Sequence, residues 1–371
     1  MEKKDKKEPL FRIFKRDVMP WYQSLGIRLL GLLIALIVSG FIIYGIVKLN
    51  PIQVYANMWE GAFGTSKKTW VTIRDTMMLL CIGLGLAPAF KMRFWNIGAE
   101  GQILMGGVAS AAIMKYFPKL FPEMNNWVVL LIMALASVIA GALWGFLPGF
   151  FKARLNTNET LFTLMMNYIG IRLTAYFVAL WENPFGSNTV GILNKKTKYG
   201  WFPTIAGQQY LLNLILVLIL AVLVYVYLKY TKQGFEIAVV GDSENTARYC
   251  AIDVKKVIVR TMLISGALCG LAGFLAVAGA GHTISTDTAG GRGFTTIIVA
   301  WMGKFNSFIM AVISLLLVFL EKGGREIASR YKLAEEIADM VKGIILFFLL
   351  GSEFFTNFKI RLRGSKESEA K

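Results

Sequence analysis

The sequence predicts an all-α fold: a polytopic transmembrane helical bundle of about ten spans, some of them discontinuous, with both termini cytoplasmic. Three observations predict it. Hydrophobic residues make up 56% of the 371 residues and charged ones only 17%, at a mean hydropathy of +0.56. Apolar runs of about 20 residues, the length a helix needs to cross the hydrocarbon, recur along the whole chain. Polar residues interrupt two such runs, FWNIGAEGQILMGG at 94–107 and GHTISTDTAGGRGFTTIIVAWMG at 281–303. Backbone and side chains that cannot satisfy themselves in lipid survive at that depth only against protein or a wet cavity, so these breaks mark a path through the bilayer.

Taken in order, the chain opens with a basic tail, 1–26, followed by a transmembrane domain over 27–357 and a second basic tail, 358–371. Spans are predicted at 27–48, 71–90, 97–115, 127–148, 159–180, 210–229, 258–280, 293–303, 307–321 and 336–355. The first run, Ile27 to Leu49, is longer than the apolar core of a signal peptide, and no small-residue cleavage site follows it. With both termini inside, 24 of the 40 Lys and Arg fall in inner segments and 12 in outer loops, which is the orientation the positive-inside rule favours. The net charge of +17 then argues for contact with anionic lipid and against nucleic acid. Cys81, Cys250 and Cys269 lack metal-ligand spacing and read as small packing residues, and His282 reads as a loop residue, so no metal site is expected.

The breaks carry the first candidate site. Asn96, Glu100 and Gln102 fall in the first, and Arg292 with Phe294 in the second, where Gly290, Gly291 and Gly293 precede an unusually short span. Paired interrupted segments in the two halves of a transporter point to a midplane site. Glu159, Thr163 and Asn167, at i, i+4 and i+8, form one polar stripe up the fifth span. A path-lining role competes with local ones throughout. Asn158 and Glu159 can cap their helix, Thr163 can bond back to its own turn, and Glu100 can complement the macrodipole of its own span. Arg292 can gate the outer mouth, pair with an outside partner or snorkel, while the glycines can permit close helix packing. Trp95, Phe294 and Trp301 offer faces for an aromatic ligand or anchors at the membrane interface.

Two loops stand out by length. The outer one, 181–209, has no helical period, whereas the inner one, 234–257, has one. There Asp242 or Ser243 can cap a short helix that carries Glu244, Asn245 and Arg248, with Ala247, Cys250 and Ala251 on one small apolar face. Such a face suits docking into a partner's groove; the alternative is a helix lying on the membrane.

Together with NETLFTLMMNYIG at 158–170, GFEIAVVGDSENTARYCAIDVKKV at 234–257, GALCGLAGFLAVAG at 266–279 and GGRGFTTIIVAWMGKFNS at 290–307, the first break resembles the permeases of bacterial ABC importers. The likeness is to the branch for nucleosides and simple sugars that works with a basic-membrane-protein-type binding lipoprotein. It implies a ten-span permease, a second permease subunit, a cytoplasmic ABC ATPase and an extracellular substrate-binding lipoprotein. It also implies that the helix over 243–254 couples to the ATPase, that ATP and Mg bind that partner, and that this chain holds no cofactor. The solute is expected to be a nucleoside, with a simple sugar as the alternative. An ion-coupled secondary transporter is a weaker reading, because carboxylates deep within spans are few: Glu100, Glu159 and Asp339 all lie near span ends. Neither HExxH nor GxSxG is present, and GAFGTSKK at 61–68 lacks the spacing of a phosphate loop, so no enzymatic activity is expected.

Overall fold

The computed structural model describes residues 11–16 and 20–362, so the outer parts of both basic tails lie outside the described residues. Within them the chain forms β1 (Phe11–Lys15), α1 (Trp21–Val47), α2 (Pro51–Phe63), α3 (Ser66–Lys91), α4 (Ala99–Leu120), α5 (Asn126–Leu155) and α6 (Glu159–Trp181). There follow α7 (Leu211–Tyr230), α8 (Lys232–Asp242), α9 (Glu244–Tyr249), α10 (Val254–Ala276), α11 (Arg292–Met302), α12 (Ser307–Tyr331), α13 (Glu335–Asn357) and β2 (Phe358–Leu362). Helices therefore stand at all ten expected span positions, and the fold is mostly helical. Among the described residues seven segments are long and apolar enough to cross a membrane: 26–45, 66–91, 126–155, 159–181, 211–230, 254–281 and 307–331. The protein is a multi-pass membrane protein.

Local chemistry explains where helices begin. The side chains of Asn50, Thr65, Asn125, Asn158, Thr231, Ser243 and Asp253 each accept a backbone N–H from the first turn that follows, satisfying donors that have no partner inside the helix. The GAFGTSKK run is thus a helix end and a Thr65 cap on the Lys68 N–H. Some elements run beyond expectation. α2 lies outside the predicted spans; it turns Val54, Met58 and Ala62 inward at helical spacing. α12 continues ten residues past the expected end of its span, with an Arg325–Glu321 pair at 2.9 Å one turn apart.

One compact unit comprises 65–318. At its centre α10 crosses α4 and α5 backbone to backbone. A Cβ on Gly266 would collide with the Gly141 carbonyl oxygen, and one on Gly106 with Gly270, so only glycine permits this approach. α10 ends in a π-helical turn, Val277–Gly281, onto which the outer loop 181–209 is seated. Leu193 and Phe202 donate backbone N–H groups to the carbonyls of His282 and Ala278 at 2.9 and 3.0 Å, and Trp201 stacks on the His282 ring at 3.6 Å. Asn194 donates to the Met114 and Tyr199 carbonyls, so side-chain amides order this aperiodic loop in place of a backbone ladder.

The other unit comprises the chain up to Gly64 and from Phe319 onward. α1 packs on α13, with Arg28 paired to Glu353 at 2.8 Å, and β1 pairs antiparallel with β2. Arg330 pairs with Glu60, and Asn57 donates to the Tyr331 hydroxyl at 2.6 Å, which ties α2 to the end of α12.

Candidate functional site

The two sequence breaks meet in space, and Glu100 joins them. From the first turn of α4 its carboxylate accepts the Gly291 N–H at 2.5 Å and the Gly293 N–H at 2.8 Å. These are orphan donors at the start of α11, whose cap, Gly291, has no side chain to satisfy them and adopts a left-handed φ of 71°. Glu100 thus serves as the missing cap of a different helix, where its charge also meets the positive end of the α11 dipole. A Cβ at Gly293 would lie 2.5 Å from Oε2 and 2.8 Å from the Glu100 backbone nitrogen, so glycine is required there.

Other buried polar groups hold the first break open. Asn96 accepts the Gly98 N–H at 3.0 Å and donates to Ser265 on α10 at 3.0 Å, with Gln102, also buried, at 3.4–3.5 Å. From α6, Asn167 accepts the Gly101 N–H and donates to the Ile97 carbonyl, both at 2.8 Å. Thr163 accepts the Ile97 N–H at 3.2 Å and bonds back to the Glu159 carbonyl at 2.7 Å. Glu159 itself pairs with Lys152 at 2.8 Å, while Asn158 caps α6. Of the stripe, Thr163 and Asn167 therefore brace Ile97, before α4, and Gly101, in its first turn, and Glu159 lies apart in an ion pair at the start of α6. Ser265 escapes sequence reasoning because a serine in an apolar run carries no signal of its own.

Aromatic residues gather on one side. Trp95 and Trp301 stack at 5.3 Å, flanked by Phe90 and Phe305, and both remain exposed, as does Phe294 seven residues before Trp301 on α11. Arg292 is half-buried and reaches Met78 Sδ at 3.7 Å.

The inner loop is helical on both sides of a sharp turn. Ser243, closing α8, caps α9 by accepting the Thr246 N–H at 3.2 Å. The expected docking face needs correction: Ala247 is 0% exposed and packs inside this chain, while α9 ends at Tyr249, and Ala251 is left-handed at φ 57°. The short helix turns Ala247 inward because a methyl is the one side chain there that can be buried at no polar cost. Asn245, Thr246, Tyr249 and Cys250 face outward, Tyr249 at 92% exposure. Cys250 is consequently no packing residue, unlike the buried Cys81 and Cys269. Glu244 and Arg248 pair loosely at 3.6 Å. Asp253 caps α10, and the Lys256 N–H it accepts holds its carboxyl below the ordinary range. Beside α9 lies a cavity of about 590 Å³ whose wall includes Lys152, Arg154, Arg248 and Lys255. Among the described residues no cluster of His, Cys, Asp and Glu is arranged to hold a metal.

Residues 71–350 match the family described as the branched-chain amino acid transport system permease component. The chain belongs to this permease family. Curated relatives cover nearly its whole length. The guanosine ABC transporter permease NupP of Bacillus subtilis is 30% identical over 84% of this chain and 89% of its own. The nucleoside ABC transporter permease NupB of Lactococcus lactis is 28% identical over 90% and 94%. The glucose ABC transporter permease TsgB13 of Haloferax volcanii is 25% identical over 93% and 92%. These relatives are permease subunits, and in both bacteria a second permease, NupQ or NupC, also matches this chain.

Proposed function

We propose that this permease conducts nucleosides inward as one subunit of an ATP-driven ABC importer in the cell membrane. The observation that carries the reading is the pair of broken segments joined by Glu100, in a chain whose relatives include guanosine and nucleoside permeases along almost their full length. The path forms by alternating access with a second permease. An extracellular binding lipoprotein delivers the solute, and a cytoplasmic ATPase carrying ATP and Mg drives the cycle through the inner loop. This chain binds no cofactor of its own in that scheme. Ten spans and cytoplasmic termini fit the pairing of β1 with β2: strands at the two ends of the chain can pair only on one side of the membrane, so the number of crossings is even. The charge bias puts that side inside.

On this reading Asn96, Glu100, Gln102, Thr163 and Asn167 keep the non-helical backbone at 94–98 and the open first turns of α4 and α11 satisfied, and Phe294, Trp301 and Trp95 offer aromatic faces to a passing base. Arg292, between the two glycines that Glu100 holds and beside Met78 midway along α3, supplies a cation at the level of that join. A simple sugar is the second reading, favoured by the resemblance to the glucose permease. The test is uptake of labelled guanosine and labelled glucose into proteoliposomes holding the whole complex, with ATP inside and the binding protein outside. Guanosine uptake that needs ATP and is blocked by vanadate is expected. Uptake of glucose alone would transfer the assignment to sugars, and uptake driven by an ion gradient without ATP would overturn the importer reading.

A further inference from the structure

The paired ends of the chain form an amphipathic ribbon, and we infer that it lies on the anionic inner leaflet as a lipid-binding element. Its register matches Phe11 with Leu362, Arg12 with Arg361, Ile13 with Ile360, Phe14 with Lys359 and Lys15 with Phe358. In an antiparallel pair, opposed residues share a face and successive residues alternate between faces. One face therefore takes the positions of Phe11, Ile13, Lys15, Phe358, Ile360 and Leu362, five of the six apolar. The other takes those of Arg12, Phe14, Lys359 and Arg361, three of the four cationic. An isolated two-stranded ribbon is marginal in water, so this one needs a surface on which to lie.

Position and continuity identify that surface. β2 follows α13 directly, and β1 ends a few residues before α1; on the ten-span reading both strands therefore sit where α1 and α13 leave the membrane. The Arg28–Glu353 pair, at 2.8 Å, joins α1 to α13 close to the ribbon. The Phe358 ring stacks on Phe354 at 5.2 Å, extending an exposed apolar row on α13 that includes Phe347, Leu350 and Phe354. Ile13, on the same ribbon face, is 59% exposed. A row of apolar side chains that leaves the helix and continues onto the ribbon fits the acyl boundary, with the cationic face among headgroups. Lys and Arg near the inner leaflet are drawn to its negative surface potential, and apolar burial with basic flanks supplies the two signals that stable surface binding needs. The headgroup chemistry is that of an anionic phospholipid. This inference rests on the cytoplasmic placement of the termini given above.

The experiment places spin labels singly at Ile13→Cys, Phe358→Cys, Phe14→Cys and Lys359→Cys in a Cys250→Ser background of the whole complex. Nanodiscs of phosphatidylethanolamine with phosphatidylglycerol are compared with nanodiscs of phosphatidylcholine. In the anionic discs, labels at 13 and 358 are expected to collide with oxygen and exclude a water-soluble nickel chelate, with a collision ratio severalfold above that at 14 and 359. In the neutral discs that alternation should weaken. Nickel access at 13 and 358 in both lipids would put the ribbon in water and overturn the inference. Exclusion of both reagents would show it covered by protein, with the same consequence. Labelling of the Ile13→Cys variant in intact cells by an impermeant maleimide would instead overturn the orientation, a failure separate from the accessibility pattern.

Discussion

Glu100→Gln isolates the contact that joins the two broken segments. The wild-type carboxylate accepts two backbone N–H groups, from Gly291 at 2.5 Å and from Gly293 at 2.8 Å, in a site that is largely closed to solvent. An amide offers one oxygen acceptor and points its NH₂ at the other donor. One charge-assisted bond is lost, the remaining one falls to neutral strength, and a buried N–H is left facing a donor. With charge-assisted bonds worth about 1.5–3 kcal/mol and neutral ones about 1 kcal/mol, the loss is about 2–4 kcal/mol. A purely dipolar role within α4 would cost only about 0.3–1 kcal/mol. Gly293→Ala reaches the same contact from the other side, keeping the charge but driving a methyl into it. Both variants should melt earlier than wild type and lose ATP-dependent uptake while still pairing with the second permease. The assay is a thermal melt of the purified complex beside labelled guanosine uptake in proteoliposomes. Wild-type melting and wild-type uptake in Glu100→Gln would refute the bridging role of Glu100.

Further outcomes follow from the same geometry. Asn167→Leu strands the buried Gly101 N–H and Ile97 carbonyl, a loss on the order of 3 kcal/mol, so both melting temperature and uptake should fall; an unchanged melt would remove the bracing role. Burial beneath Trp201 holds the His282 imidazole neutral, its pKa lowered from 6.5 to about 4. The unfolded loop binds the proton first, so stability is complete above pH 6.5 and declines as pH falls from there toward about 4. Protection of the 193–202 amides, measured relative to their intrinsic exchange rates, should fall in that window and stay constant above it. Tyr249→Ala should weaken ATPase retention at least tenfold, as expected for an exposed aromatic anchor, with permease assembly intact, whereas Ala247→Arg should misfold the inner loop itself; equal ATPase retention in Tyr249→Ala and wild type would move the contact elsewhere. Finally, the amides of Gly101 and Gly293 should exchange equally slowly in the nucleotide-free and vanadate-trapped complex, and acceleration in either state would show that the join between segments opens during the cycle.

The helices, the two breaks and the inner loop are legible in the sequence because each leaves a local mark: apolar length, polar interruption or a capping residue. Partners across the fold leave none. The sequence places Glu100 in the first turn of a span, where its own macrodipole is the nearest explanation, yet the donors it satisfies lie 191 and 193 residues away. Only the glycine run at 290–293 hints that a backbone there needs an outside acceptor. Thr163 shows the converse, since its bond back to Glu159 is local and legible, while its acceptance of the Ile97 N–H is not. The inner helix misleads at Ala247 because a stripe of small residues has the same pattern whether it meets a partner or its own chain. Helix α2 gives no span signal because its 13 residues are too few to cross the bilayer.

The pattern of bonds also decides where movement can occur. Residues 94–107 are tied to α11 through Glu100, to α6 through Asn167 and Thr163, and to α10 through Asn96. α10 is locked to α4 and α5 at glycines that leave no room for sliding. Bending either broken segment alone would break several buried hydrogen bonds together, a cost far above what differential contacts with a passing solute supply. The joined starts of α4 and α11 are therefore one fixed wall, whose non-helical approach at 92–98 is held by side chains. In the proposed cycle, access alternates through displacement of this wall against its counterpart in the second permease. The inner loop is suited to transmit that displacement, because α8 and α9 turn Gly234, Ile237 and Ala247 inward onto the same unit while Tyr249 projects outward. On the proposed reading, a push by the ATPase at Tyr249 is thereby delivered to the whole wall.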